Sequence, residues 1–181
     1  STASQSVRVP TGTADRLRVG AHALIWQAYF NRALGRREPA VQLRNQSQAL
    51  LERPELADHD TRAGRALLYQ HMGRGVFLTD YERARHYLEQ SLNLYRDLGD
   101  VWRTAAALNS LGTAALFRGA YADARRALEE SLRLSRDMGD RERTAWGMAD
   151  LTFVALFQGR FEEARHLALD SRAMTQVLAD L

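Results

Sequence analysis

Residues 76–100, VFLTDYERARHYLEQSLNLYRDLGD, are written again 40 residues later as LFRGAYADARRALEESLRLSRDMGD (116–140), with 13 of 25 positions identical. A repeat of this length constrains the fold strongly. Each copy is one supersecondary unit, and copies must stack to bury a shared core. The period continues in LFQGRFEEARHLALDSRAMTQVLAD (156–180), where Gly159, Phe161, Ala164 and Ser171 fall under Gly119, Tyr121, Ala124 and Ser131. The upstream halves agree too: RTAAALNSLGTAAL (103–116) lies over RTAWGMADLTFVAL (143–156). AGRALLYQHMGRGV (63–76) is more distant but keeps Leu68 under Leu108. A fourth copy spans 21–50, with Leu24, Gly35, Ala40, Ser47 and Leu50 in the places of Leu108, Gly119, Ala124, Ser131 and Leu134. LERPELADHD (51–60) then absorbs about four extra residues.

Each copy reads as two helices. Leu108, Leu111, Ala115 and Leu116 recur at spacings of three and four, the stripe of an amphipathic helix. Gly119 interrupts the stripe as a helix C-terminal glycine does. Tyr121, Ala124, Leu128, Ser131 and Leu134 mark a second helix, which RDMGD (136–140) ends. The aspartate of RDMGD, like that of RDLGD (96–100), is placed to cap the helix that follows. Ala and Ser at the recurrent small positions let two helices approach closely.

Composition excludes several classes. The chain has 181 residues, 45% hydrophobic and 26% charged, ordinary values for a globular chain. It has no Cys, hence neither disulfides nor thiolate metal sites. It carries no apolar run long enough to cross a bilayer, and its polar start, STASQSVRVPTGT, lacks a signal-peptide core. The expectation is a cytoplasmic protein, or part of a larger one. All 25 basic residues are Arg, which reflects a GC-rich genome. They are dispersed, the longest runs being Arg36-Arg37 and Arg125-Arg126, so no phosphate-binding stripe and no direct nucleic-acid contact are expected.

No catalytic signature is present. The five His (22, 59, 71, 86 and 166) form no metal-ligand spacing, and His86 and His166 read as solvated helix-surface residues. There is no nucleophile elbow and no P-loop. Gly73 and Gly75 form G-R-G inside a helical stretch and read as a kink or tight packing. Glu129, Glu130, Glu162 and Glu163 read as solvated carboxylates, some in weak i,i+4 pairs such as Glu129 with Arg133. The expectation is no enzyme, no cofactor and no metal.

Leu108, Leu111-Gly112, Gly119, Tyr121, Ala124, Leu128 and Ser131, in that order and spacing, resemble the tetratricopeptide repeat. Two departures stand out: the period is 40 rather than about 34, and the proline usual near the end of the second helix is absent. Longer proline-free units joined by "LGD" look like the repeats of bacterial signal-transduction ATPases and transcriptional regulators. The resemblance covers about residues 20–181. It implies an all-α, right-handed superhelical solenoid of about four antiparallel helix hairpins. The repeats fall at about 20–60, 61–100, 101–140 and 141–181 within one domain, 14–181, after a tail at 1–13.

In that family the first helix of each unit lines a binding groove. Carried over copy by copy, the resemblance points to Trp26 and Tyr29, then Tyr69 and Gln70, then Asn109 and Thr113, then Trp146, Asp150 and Phe153. This aromatic, amide-rich set suits a protein or peptide partner with apolar anchors. The same aromatic residues also fit as core between repeats. The implied role is a regulatory or sensing module. The alternatives are a small-molecule effector sensor, with Trp26, Tyr29, Tyr69 and Trp146 stacking on the ligand, and a structural oligomerisation scaffold. The last helix, roughly 161–178, carries Leu167, Leu169, Met174, Val177 and Leu178 with no further unit to cover them. Either more repeats follow, or this face self-associates.

Overall fold

The computed structural model describes residues 12–179; of the expected tail at 1–13, residues 1–11 lie outside the described residues. Among the described residues all regular structure is helical, with no strand. The elements are α1 (Thr13–Ala33), α2 (Arg37–Leu51), a short 3-10 turn (Pro54–Leu56), α3 (Arg62–Val76), α4 (Tyr81–Asp97), α5 (Val101–Arg118), α6 (Tyr121–Asp137), α7 (Arg141–Phe157) and α8 (Phe161–Ala179). The fold is of the all-α solenoid class. The chain packs as two compact units, one ending at Leu68 and one beginning at Tyr69, the division falling inside α3.

In the first unit α1 and α2 form a hairpin. Ala21, Ile25 and Ala28 are buried on α1, and Ala40, Ser47 and Leu51 on α2. Ser47 Oγ donates to the carbonyl of Ala21 at 3.0 Å. The extra residues after α2 fold into the 3-10 turn, which packs on α1 and buries Leu56. An insertion within a repeat is tolerated here because it carries its own apolar anchor.

In the second unit α4 through α8 each pack on the next in chain order. The serine contact recurs: Ser131 Oγ donates to Ala105 O at 2.8 Å, and Ser171 Oγ to Ala145 O at 2.9 Å. Both span 26 residues, as Ser47 to Ala21 does. The small residue thus admits a close helix approach and also ties the two helices of a hairpin, each bond contributing about 1 kcal/mol net.

RDLGD and RDMGD act as punctuation. Gly99 and Gly139 take φ of 65° and 70°, the left-handed conformation that reverses the chain after α4 and α6. Asp100 and Asp140 then accept from the backbone N–H of Arg103 and Arg143, each at 2.9 Å. The hydroxyls of Thr104 and Thr144 donate back to the same aspartates' carbonyls at 2.8 and 2.7 Å.

One core cluster of the second unit joins Ala115, Leu116, Ala124, Leu128, Leu132, Met148, Leu151 and Val154. Gly112 packs closely against this cluster, and Gly73 makes the equivalent contact on α4. A Cβ on Gly112 would sit 2.5 Å from Leu128 Cγ, and one on Gly73 would sit 2.6 Å from Leu88 Cγ. The G-R-G stretch therefore marks tight packing at Gly73. On α8, Leu167 and Met174 pack against the cluster while Leu169 is exposed. The side chains of Val177 and Leu178 lie outside the described residues.

The expected Glu129–Arg133 pair does not form. Glu129 pairs with Arg125 at 3.3 Å and Arg133 with Asp137 at 3.1 Å. Arg125 is the stronger attractor because it is nearly buried and already fixed. It reaches Glu163 on α8 at 2.6 Å and the side-chain oxygen of Gln158 at 2.9 Å, tying α6 to the α7–α8 turn. The Arg125–Glu163 contact raises the Arg125 pKa, with a smaller part from Glu129, and holds Glu163 below the usual carboxylate range.

Candidate functional site

On α7, Trp146, Asp150, Phe153 and Phe157 follow one another at steps of four, three and four, so they share a face. The opposite face carries the buried Met148, Leu151, Val154 and Ala155. On the neighbouring α5, Asn109, Thr113 and Phe117 are spaced by four and likewise share a face. The two faces meet at Asp150. Asn109 Nδ2 donates to Asp150 Oδ2 at 2.9 Å, and Thr113 Oγ1 approaches the same oxygen at 3.4 Å. Thr113 is itself held, donating to the Asn109 carbonyl at 2.9 Å.

Asp150 is half-buried. Burial pushes its carboxyl pKa up, against the smaller lowering effect of the bonds from Asn109 and Thr113. Both contacts fall on Oδ2, the Asn109 one as a hydrogen bond; among the described residues Oδ1 has no hydrogen bond and the carboxylate has no ion pair. Trp146 and Phe153 stand largely in solvent, 62% and 52% exposed.

Beside Asp150 lies a cavity of about 570 Å³ walled by Leu116, Phe117, Tyr121, Phe153 and Phe157, with Arg118 and Gly119 at its edge. Tyr121 stacks on Phe157, ring centroids 5.6 Å apart and planes at 9°. Phe117 meets Phe77 edge to face at 5.4 Å. Phe117 and Phe157 remain 65% and 61% exposed. Sequence reasoning passed over these walls. Their signal was available: LFRGAY and LFQGRF place a Phe at the same point of two repeats, outside the apolar stripes.

The other expected groove residues have different settings. Gln70 is buried and donates to Ser110 Oγ at 3.4 Å, a bond between α3 and α5. Tyr69 is half-buried and stacks on Tyr87 of α4, centroids 6.1 Å apart. Trp26 and Tyr29 belong to the first unit, where Tyr29 makes edge contacts with Trp26 at 5.8 Å and Phe30 at 5.4 Å. The structure therefore brings together Asn109, Thr113, Trp146, Asp150 and Phe153.

A second polar cluster was not anticipated. Trp102 Nε1 donates to Asp140 Oδ2 at 3.2 Å, and the Arg143 guanidinium lies 4.3 Å from the Trp102 ring centre. The aspartate that caps α7 thus also anchors an exposed Trp of α5. His86 and His166 are exposed, and no group of three or more His, Asp or Glu among the described residues could hold a metal. Among the described residues no helix is long and apolar enough to cross a membrane.

Comparison with known proteins agrees with this architecture. The pattern of the tetratricopeptide repeat family matches residues 61–137 and again residues 103–176. No curated protein sequence is matched. Among solved structures, the chain is similar to BtubC (BKLC) from P. vanneervenii, with a TM-score of 0.76 and 16% sequence identity, over 96% of this chain and 69% of that one. At that identity the likeness is one of fold.

Proposed function

The chain belongs to the tetratricopeptide repeat family, whose repeats mediate protein–protein interaction, and from that premise we propose that the face shared by α5 and α7 binds a partner polypeptide. The observation that carries this is the trio Trp146, Asp150 and Phe153. Two exposed aromatic rings flank a half-buried carboxylate that Asn109 and Thr113 hold in place. Exposed aromatic side chains beside a fixed polar group are what interface anchors are made of, since they supply contact area at low entropic cost. The regulatory or sensing role is part of the same proposal. It rests on the 40-residue, proline-free repeats joined by "LGD".

The test compares partner capture by the full chain with capture by the Trp146→Ala/Phe153→Ala variant, folding being checked by circular dichroism. Both residues are exposed, so the variant should fold. Partners lost from the folded variant support the reading; an unchanged set of partners contradicts it. A second reading, a small-molecule sensor, is favoured by the cavity beside Asp150, whose volume falls within the range of ligand pockets. A third is self-association through α8, where Phe161 and Leu169 are exposed.

A further inference from the structure

We infer that the cavity beside Asp150 receives the arginine or lysine side chain of a partner polypeptide. This deepens the peptide-binding reading and rests on it. Three observations converge. The walls include four aromatic rings, Phe117, Tyr121, Phe153 and Phe157, and aromatic rings attract a cation to their faces. At the wall stands a carboxylate whose Oδ1 accepts no hydrogen bond and which has no ion pair among the described residues. Asn109 donates to the other oxygen, which leaves Oδ1 as the oxygen open to a ligand. A half-buried carboxylate without a countercharge is costly unless a ligand supplies one.

The neighbouring cleft shows that this combination is not general. It too is lined by aromatic and acidic residues, Phe77, Tyr81, Phe117, Asp80 and Glu82. Yet there Asp80 caps α4 through Arg83 N, and Glu82 pairs with Arg85 at 3.0 Å. Unlike that cleft, the Asp150 cavity joins several rings to a carboxylate that has no ion pair among the described residues. Its occupant is a side chain of a chain rather than a free cation because the rings continue outward. Phe117, Phe157 and, on the same face of α7, Trp146 are largely exposed and offer contact to flanking residues. Arg118 also lines the cavity, makes no ion pair with Asp150, and carries a charge like that of the ligand.

The experiment uses the full chain and four probes: capped tripeptides Ac-Leu-X-Leu-NH2 with X as Arg, norleucine or Glu, and free arginine. Binding is read from backbone amide NMR shifts of residues 113–121 and 150–157. Saturable shifts are expected with the Arg peptide, at least tenfold tighter than with the norleucine or Glu peptides or with free arginine. Asp150→Asn, which keeps the shape and removes the charge, should lose that tenfold preference. Phe153→Leu should weaken Arg binding severalfold and serves if Asp150→Asn does not fold. Arg118→Ala should strengthen it. Norleucine binding equal to Arg, or an Arg preference that survives Asp150→Asn, overturns the inference while leaving a peptide groove in place. Preference for Glu, lost on Arg118→Ala, assigns the cavity to an acidic side chain and overturns it. Free arginine binding as tightly as the peptide assigns it to a small molecule. Absence of any shift with all four probes overturns it too, whereas partner loss on Trp146→Ala/Phe153→Ala reports separately on the groove.

Discussion

Gly112→Ala and Gly147→Ala make the same chemical change in adjacent first helices of the stack, and the structure assigns them opposite signs. A Cβ on Gly112 would sit 2.5 Å from Leu128 Cγ, 2.8 Å from Leu128 Cδ2 and 3.2 Å from the backbone oxygen of Ala124. Carbon atoms rest about 3.5–4.0 Å apart, so the overlap is about 1 Å. Leu128 is fully buried and has no space to yield, and the carbonyl belongs to α6 itself. Overpacking of this kind costs about 1–3 kcal/mol. The better helix propensity of Ala offsets about 1 kcal/mol. With so large an overlap the net expectation is a loss of about 2 kcal/mol for Gly112→Ala. At Gly147 the nearest atom, Leu132 Cδ1, is 3.5 Å away, an ordinary contact. Gly147→Ala should therefore gain about 0.5–1 kcal/mol. Urea denaturation of the full chain, followed by far-ultraviolet circular dichroism and compared at equal slope, measures both. Adding Leu128→Ala to Gly112→Ala supplies a control, since the pair should cost less than the sum of the single changes. If Gly112→Ala equals the wild type, or if both variants shift the same way, the close approach of α5 and α6 is not as described.

Four further outcomes are expected. Tyr95 is fully buried and its hydroxyl has no hydrogen-bond partner among the described residues, so Tyr95→Phe should raise stability by about 1 kcal/mol; a comparable loss in the same denaturation assay would show that the hydroxyl is bonded in solution. Asp140→Ala removes the α7 cap and the acceptor of Trp102 Nε1 together, and should cost about 1–2 kcal/mol while blue- or red-shifting the tryptophan emission; unchanged stability and emission would contradict both contacts. Asp150 has a folded-state pKa raised by burial, so its ionised form opposes folding above that value, and stability from this group rises as pH falls toward the ordinary 3.8. The advantage of Asp150→Asn over the wild type should accordingly be largest near neutral pH and shrink on acidification, which denaturation at a series of pH values will show; a constant difference would contradict the desolvation of Asp150. Glu163 works in the other sense: its lowered pKa contributes stability that is present above the usual carboxylate range and lost in acid.

What could be read from sequence was what repeats. Gly119, the Asp of RDMGD and the Ser131 position recur at a fixed period, and each has one local job dictated by backbone geometry: reversal, capping or close approach. What could not be read was which of two neighbours a side chain prefers. Glu129 has Arg133 one turn ahead and Arg125 one turn behind, and only the tertiary contact of Arg125 with Glu163 decides between them. Gln70 and Asn109 both looked like groove amides, yet Gln70 is bonded across to α5 while Asn109 positions a carboxylate on α7. The Phe117–Phe157 walls escaped for a related reason: a residue just before a helix-ending glycine lies at the edge of the periodic stripe, where spacing says little about which way it faces.

The central claim is that the α5–α7 face around Trp146, Asp150 and Phe153 binds polypeptide. It is tested most directly by selecting random peptides displayed on phage against the full chain and measuring the recovered peptides on Trp146→Ala and Phe153→Ala. The account predicts peptides whose affinity falls at least tenfold on each variant. Peptides that bind both variants as well as the wild type would place recognition elsewhere on the molecule and contradict it.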